Sequence, residues 1–181
     1  MTQLPTHVQD FIHSLETVDY FSNRGPLPEG CKLYETRAEA IMASGDNALD
    51  DMWLVVHNAA WSAARHAGMP AAVLRAAESA ANAVAQVTSE ATADVAALAA
   101  AGVTRWGAVG DMGARLEAQA AIWQATQDAA WSARLSVLCL LAQDHIDPAH
   151  LDYALRRWAI WQAGYGVAVE FDGTHYCYRR P

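Results

Sequence analysis

Between residues 71 and 101 the apolar positions recur every three or four residues, which is the spacing that places side chains along one side of an α-helix. The series consists mostly of small residues, namely Val73, Ala77, Ala80, Val84, Val87, Ala91, Val95 and Leu98. Alanine is the strongest helix former, and 39 of the 181 residues are alanine. Because alanine buries little apolar surface, such a helix is stabilised by close packing against other helices. The sequence therefore predicts a helical bundle.

Capping and terminating residues predict the other helices. Thr36 and Glu39 form a capping box, and Asp46 is a suitable cap for the next helix. Asp147 precedes Pro148, a pair typical of a helix start because proline is tolerated in the first turn. We expect helices over residues 6–15, 36–44, 46–67, 112–143 and 148–163.

Two segments rich in glycine or proline predict connections between these helices. Residues 18–35 are expected to form an ordered loop with a short extended piece at 31–34. The main connector is expected at 102–110, where Arg105 and Trp106 are candidate contact residues because loops often carry binding groups.

The end of the chain differs from the rest, because two segments of β-forming residues flank Asp172-Gly173. Asp-Gly between such segments is a strong signal for a hairpin with a two-residue turn. A turn of this length predicts the pairs Phe171 with Thr174, Val169 with Tyr176, and Val167 with Tyr178.

Together these elements predict one mainly α domain, a bundle of about five or six helices with two long ones and a C-terminal two-stranded hairpin. Residues 1–45 would hold the N-terminal helix, the ordered loop and a short helix. Residues 46–164 would form the bundle, and residues 165–181 the hairpin.

Three cysteines, Cys31, Cys139 and Cys177, lie far apart in the sequence, without the short spacings of metal sites or redox pairs. The first residues lack the pattern of a signal peptide, and no long uncharged apolar run follows. We therefore expect a cytoplasmic protein that does not contact a membrane. The sequence leaves its oligomeric state open.

The net charge of −8 is concentrated in the first 52 residues, which hold nine acidic residues and three basic ones. This balance disfavours direct binding of nucleic acid, which requires a basic surface. It favours a protein partner with a basic surface. The acidic candidates for that contact are Glu35, Glu39, Asp46, Asp50 and Asp51. The alternative is that the acidic residues only improve solubility and stabilise helix N-termini.

A tryptophan pattern recurs after 70 residues. Trp53 and Trp61 are matched by Trp123 and Trp131, and the second tryptophan of each pair is followed by Ser-Ala. Residues eight positions apart lie near one side of a helix, and the neighbouring alanines leave room for the rings. The pattern predicts that the two helices are packing partners with these tryptophans in the core.

His57, Trp61 and Arg65 follow one another at intervals of four on a predicted helix. With Trp123 they are the candidate lining of a ligand pocket between the tryptophan-bearing helices. The alternative is a helix side on which tryptophan is buried while His and Arg extend to solvent.

Two other clusters contain residue types found in metal sites or in nucleophilic catalysis, but their spacing in the sequence does not match either kind of site. Asp144, His145, Asp147 and His150 lie around a helix break, and Asp147 is needed there as a cap. The pair of His175 and Cys177 on a strand has no third group to orient it. We therefore predict no metal, no cofactor and no catalytic residue.

These observations favour a non-enzymatic, acidic binding protein that sequesters or inhibits a macromolecular partner, as immunity and counter-defence proteins do. The alternative is a helical protein that binds a small molecule or cofactor between its tryptophan-bearing helices, a site that could also serve an enzyme.

Overall fold

A computed structural model describes residues 4–16, 25–45, 51–69, 71–86, 112–171 and 173–179, except for the side chains of residues 16, 51, 112–122, 124 and 125. The described helices are α1 (Thr6–Glu16), α2 (Arg37–Ser44), α3 (Asp51–His66), α4 (71–86), α5 (Met112–Leu141) and α6 (Pro148–Gln162). The strands are β1 (Cys31–Tyr34), β2 (Tyr165–Phe171) and β3 (Thr174–Arg179). The prediction of a mainly α fold with a C-terminal β element is confirmed.

Two of the predicted helix starts are built as the sequence indicates. The Thr36 hydroxyl accepts a hydrogen bond from the Glu39 amide at 3.2 Å, while a Glu39 carboxylate oxygen accepts one from the Glu35 amide at 3.2 Å. At α6 the Asp147 carboxylate accepts a hydrogen bond from the Ala149 amide at 2.9 Å. Each cap satisfies amides that have no partner within the helix, so both helices begin where the capping residues place them.

Helix α5 contacts α1, α3 and α6 as well as β2, whereas α2 packs on the three strands. The small-residue side predicted for α4 is confirmed over its described part, because all four predicted positions in 71–86 are buried. Those positions are Val73, Ala77, Ala80 and Val84. The remainder of that predicted helix, the connector at 102–110 and the expected cap Asp46 lie outside the described residues.

The two helices with the repeated tryptophans do pack against each other, but the prediction that all four tryptophans lie in the core is wrong for Trp123 and Trp131, while Trp53 and Trp61 pack against the core from its edge. Trp123 and Trp131 are 65% and 41% exposed, and Trp53 and Trp61 are half-buried. Small buried residues occupy the packed parts of α3 and α5, namely Ala60, Ala63, Ala64, Ala129, Ala130 and Ala133. Close packing through alanine leaves no room for indole rings between the helices, so the larger rings lie at its edge.

The core rings come instead from α6, where Trp158 and Trp161 are 3% and 0% exposed. The edge of the Trp158 ring meets Phe11 of α1, with 6.0 Å between ring centroids. Trp161 is the largest fully buried side chain among the described residues. Helix α6 therefore anchors the bundle.

The predicted hairpin is confirmed, and β1 extends it to a three-stranded sheet in the order β1-β3-β2. The extended piece at residues 31–34 was expected, whereas its parallel pairing with β3 was not. Phe171 pairs with Thr174 and Val169 with Tyr176, as predicted.

One predicted pair of the hairpin is wrong, because Val167 pairs with Cys177 and Gly166 takes the place opposite Tyr178. An irregularity between Val167 and Val169 shifts the register. At residue 166 the Tyr178 ring occupies the space that a Cβ atom would need, so glycine permits this pairing.

No helix in the described part of the chain is long and apolar enough to cross a membrane.

Candidate functional site

Four aromatic side chains follow one another along the edge of the contact between α3 and α5. We call Trp61, His57, Trp53 and Trp131 the aromatic row. The first three lie on one side of α3 because they are spaced at intervals of four residues. Trp131 continues the row from α5.

Each member of the aromatic row contacts the next. The Trp61 indole N–H donates a hydrogen bond to Nε2 of His57 at 3.1 Å. The His57 ring stacks on Trp53, with 5.0 Å between centroids and 15° between planes. Trp53 then meets Trp131 edge to face at 5.7 Å and 90°. The rings hold one another in position, which favours a rigid surface.

Two arginines extend this surface. The Arg134 guanidinium lies 5.1 Å from the centroid of the Trp131 ring, within the range of a cation–π interaction. Arg65 lies one turn beyond Trp61 on α3 and is exposed. Positive charge is therefore present at both ends of the aromatic row.

His57 is held in its neutral form. Burial lowers its pKa below the ordinary value of 6.5, and the charge of Arg134 lowers it further, against the effect of a hydrogen bond with Asn58. A neutral ring agrees with the hydrogen bond from Trp61, because Nε2 must lack a proton to accept it. Protonation of His57 would break this link in the aromatic row.

A hollow of about 360 Å³ opens beside the Trp53–Trp131 contact, lined by Trp53, Asp128, Trp131 and Arg157. A second hollow of about 500 Å³ lies at the opposite end of the row, lined by Asn58, Trp61, Ser62, Arg65 and His66. The described residues lining the second hollow all belong to α3, whereas the first joins α3, α5 and α6. The first hollow is thus built from several elements, as ligand pockets usually are.

Arg157 is a fixed cation in the wall of the first hollow. Its side chain is largely buried, with the residue 8% exposed. Nε donates to the Ser132 hydroxyl at 3.3 Å, and a terminal nitrogen donates to the Tyr153 hydroxyl at 3.3 Å. The Ser132 hydroxyl in turn donates to the Asp128 carbonyl at 2.8 Å. These bonds hold the guanidinium in one orientation.

The polar side chains behind Arg157 continue to the sheet. Tyr153 stacks on His175, with 5.9 Å between ring centroids. His175 Nε2 lies 3.4 Å from a carboxylate oxygen of Glu170, and both side chains are buried. The hollow is thus connected by buried polar groups to β2 and β3.

The structure brings together three of the four residues predicted to line a pocket. His57 and Trp61 belong to the aromatic row, and Arg65 lies beside it. Trp123 lies on α5 two turns before Trp131 and does not line the described hollows. Arg134 and Arg157 were missed, because α5 and α6 carry several other charged residues and no spacing distinguishes these two.

The acidic residues predicted to bind a partner are only partly described. Glu35 is exposed, and its carboxylate accepts from Nε of Arg179 at 3.0 Å, which ties β1 to β3. Glu39 is exposed and caps α2. Asp51 begins α3, although its side chain is not described. Asp46, Asp50, Arg105 and Trp106 lie outside the described residues.

Among the described residues, no three His, Cys, Asp or Glu side chains lie close enough together to hold a metal ion. Asp147 serves as the cap of α6, while His145 is exposed in the preceding turn.

Comparisons with protein-family models, with characterised proteins and with solved structures find no match to this chain.

Proposed function

We propose that this protein is a non-enzymatic binding protein that holds a protein partner at the aromatic row and thereby sequesters or inhibits it. The observation that carries the proposal is the exposure of Trp131 at the end of an ordered array of rings, in a fold that buries Trp158 and Trp161 completely or nearly so. Tryptophan and arginine are the residues most enriched at the energetic centres of protein interfaces. The row and its arginines supply both types.

The charges around the row indicate the chemistry of the bound segment. Arg65, Arg134 and Arg157 surround it, and Asp128 is the acidic side chain lining the described hollows. Among the described side chains around the row, three arginines therefore stand against one aspartate, although the whole chain carries −8. We propose that the partner inserts a segment in which carboxylates flank an apolar side chain, since such a segment complements both the rings and the guanidinium groups.

A partner with a basic surface, expected from the acidic first third, stays a separate prediction. Glu35 and Glu39 already bind groups within the protein, so a structural role is an alternative to partner binding for these two residues. The charges at the start of α3 are tested in the Discussion.

The test compares the proteins captured from the source cells by the wild-type chain and by single variants. Trp131→Ala and Arg134→Gln remove a ring and a charge from the row. Phe171→Ala is the matched control, because Phe171 is an aromatic residue that is 54% exposed outside the row. A partner that is lost with both row variants and retained with the control supports the proposal. Identical captured proteins with all four baits would refute it.

The hollow at Trp53 favours a second candidate function, the binding of a small molecule. Its volume of about 360 Å³ falls within the range of ligand pockets, and it offers two indole rings with a fixed guanidinium. An aromatic carboxylate fits this lining. Thermal denaturation with a panel of such acids tests the idea. A saturable rise in Tm that disappears in Trp53→Ala and persists in Phe171→Ala would favour a ligand, while no rise with any acid would count against it.

A further inference from the structure

Another hollow, with a volume of about 350 Å³, lies between α1 and α4. It shares no described lining residue with the two hollows beside the aromatic row. Each of the two helices presents one side to it, because its lining residues on either helix are spaced three and four positions apart. We call this hollow the α1–α4 groove.

The inner surface of the α1–α4 groove is aliphatic and consists of Leu4, Ile12, Ala72 and Ala76. Ala76 is 3% exposed, and the half-buried Leu4 and Ile12 pack against the core, so this surface is fixed in place. The side-chain amide of Gln9 donates a hydrogen bond to the carbonyl of Leu4, which holds the residues before α1 against that helix. No Trp, Tyr or Phe ring is among the described lining residues. A flexible aliphatic chain therefore fits this surface better than a planar ring does.

The rim of the α1–α4 groove is polar and basic. It holds Arg75 of α4 and His13 of α1, both of which are exposed. Ser79 follows Arg75 by one helical turn and adds a hydroxyl group to the same rim. The described lining contains no acidic side chain, although the whole chain carries −8. This local charge favours an anion, and a guanidinium group can bind a carboxylate through two hydrogen bonds.

We propose that the α1–α4 groove binds a small monocarboxylic acid with an unbranched aliphatic chain. The chain covers the aliphatic inner surface, while the carboxylate pairs with Arg75 at the rim. Burial of the chain supplies affinity, and the charge pair fixes the orientation of the acid. This site is separate from the aromatic row and does not depend on the function proposed for it.

The experiment titrates the full chain with hexanoate, octanoate and decanoate in a calorimeter, each below the concentration at which it forms micelles. We expect saturable binding that tightens by up to about fourfold for each added CH₂ group that becomes buried. Octanamide has the same chain without the charge, so we expect it to bind at least about fivefold more weakly than octanoate.

Three variants assign the binding to the groove. Arg75→Gln should weaken octanoate by about 5–10-fold and leave octanamide unchanged, because only the carboxylate uses the guanidinium. Ala72→Leu should weaken both probes, because the larger side chain occupies part of the hollow. Arg37→Gln is the matched control and should behave as the wild type, because Arg37 is an exposed arginine on α2 outside the groove.

Several results would overturn the proposal. They are a lack of saturable binding even with decanoate, equal affinities for octanoate and octanamide, and the same octanoate affinity in Arg75→Gln and Arg37→Gln. Trp53→Ala should retain octanoate binding, because Trp53 lines the first hollow and not the groove. Loss of binding in Trp53→Ala with retention in Arg75→Gln would assign the acid to the first hollow and refute the groove. Arg75 is exposed, so this comparison does not depend on whether Ala72→Leu folds.

Discussion

Replacement of Trp131 by alanine tests whether the repeated tryptophans contribute to the core or to a surface. Trp131 is 41% exposed, whereas Trp161 is fully buried. A buried Trp side chain covers about 150–250 Å², so roughly 100 Å² of Trp131 is protected, worth about 2.5 kcal/mol at about 25 cal/mol per Å². Alanine recovers part of this, and the solvent-facing site leaves no closed cavity, so we expect Trp131→Ala to cost about 1–2 kcal/mol.

Trp161→Ala is the comparison, because it removes a ring from the closed core between α6 and the sheet. Its edge contact with Tyr178, at 6.5 Å between centroids, would be lost together with its burial. Large aromatic residues replaced by alanine in a core cost about 3–5 kcal/mol. We therefore expect Trp161→Ala to lower the free energy of unfolding by about 1–4 kcal/mol more than Trp131→Ala.

The measurement is urea denaturation at equilibrium, followed by far-UV circular dichroism so that the signal does not depend on the removed fluorophore. Both variants should retain the wild-type slope, which would show that the unfolding reaction is unchanged. A Trp131→Ala cost equal to or larger than that of Trp161→Ala would refute the reasoning, since the ring would then be part of the core. The same result would weaken the proposed role of the aromatic row.

Three further changes test other parts of the structure. His57→Gln should reduce the loss of stability as the pH falls below 6.5, because the lowered pKa of His57 means that the folded protein takes up this proton less readily than the unfolded chain does; an unchanged pH profile of Tm would contradict this. Gly173→Val should cost about 1–2 kcal/mol because Gly173 has a φ of 70°, whereas Gly173→Asn should be milder; equal Tm values for the two variants would argue against backbone strain. Asp50→Asn with Asp51→Asn should cost less than about 2 kcal/mol of stability yet slow association with a captured basic partner most at low salt; a rate that ignores both charge and salt would leave the acidic residues without a binding role.

Helix starts, turns and buried helix faces could be predicted from the sequence where the interactions that determine them are local. The capping box at Thr36, the cap at Asp147 and the turn at Gly173 each depend on residues within a few positions, and all three are present. Helical spacing likewise predicted the buried side of α4. Local physics therefore fixes most of the secondary structure.

The pairings that depend on the folded chain were not predictable in the same way. The partner of β1 lies at the other end of the chain, and a register shift beside Gly166 depends on the ring of Tyr178. Which tryptophans enter the core was decided by the close packing of alanines on α3 and α5, so Trp158 and Trp161 are buried while Trp131 is exposed. The candidate site was predicted as far as it lies on one helix, and Arg157 was missed because it joins the site from α6.

The central strand of the sheet, β3, is made from the last part of the chain and holds β1 on one side and β2 on the other. During synthesis β1 emerges early, and its edge has no partner until Thr174–Arg179 has been added. The sheet can therefore be completed only after β3 has been synthesised, and the pairing of such distant segments is expected to be a slow step in folding. A chain that ends before β3 would leave two strands with open edges, which makes incomplete copies prone to aggregate.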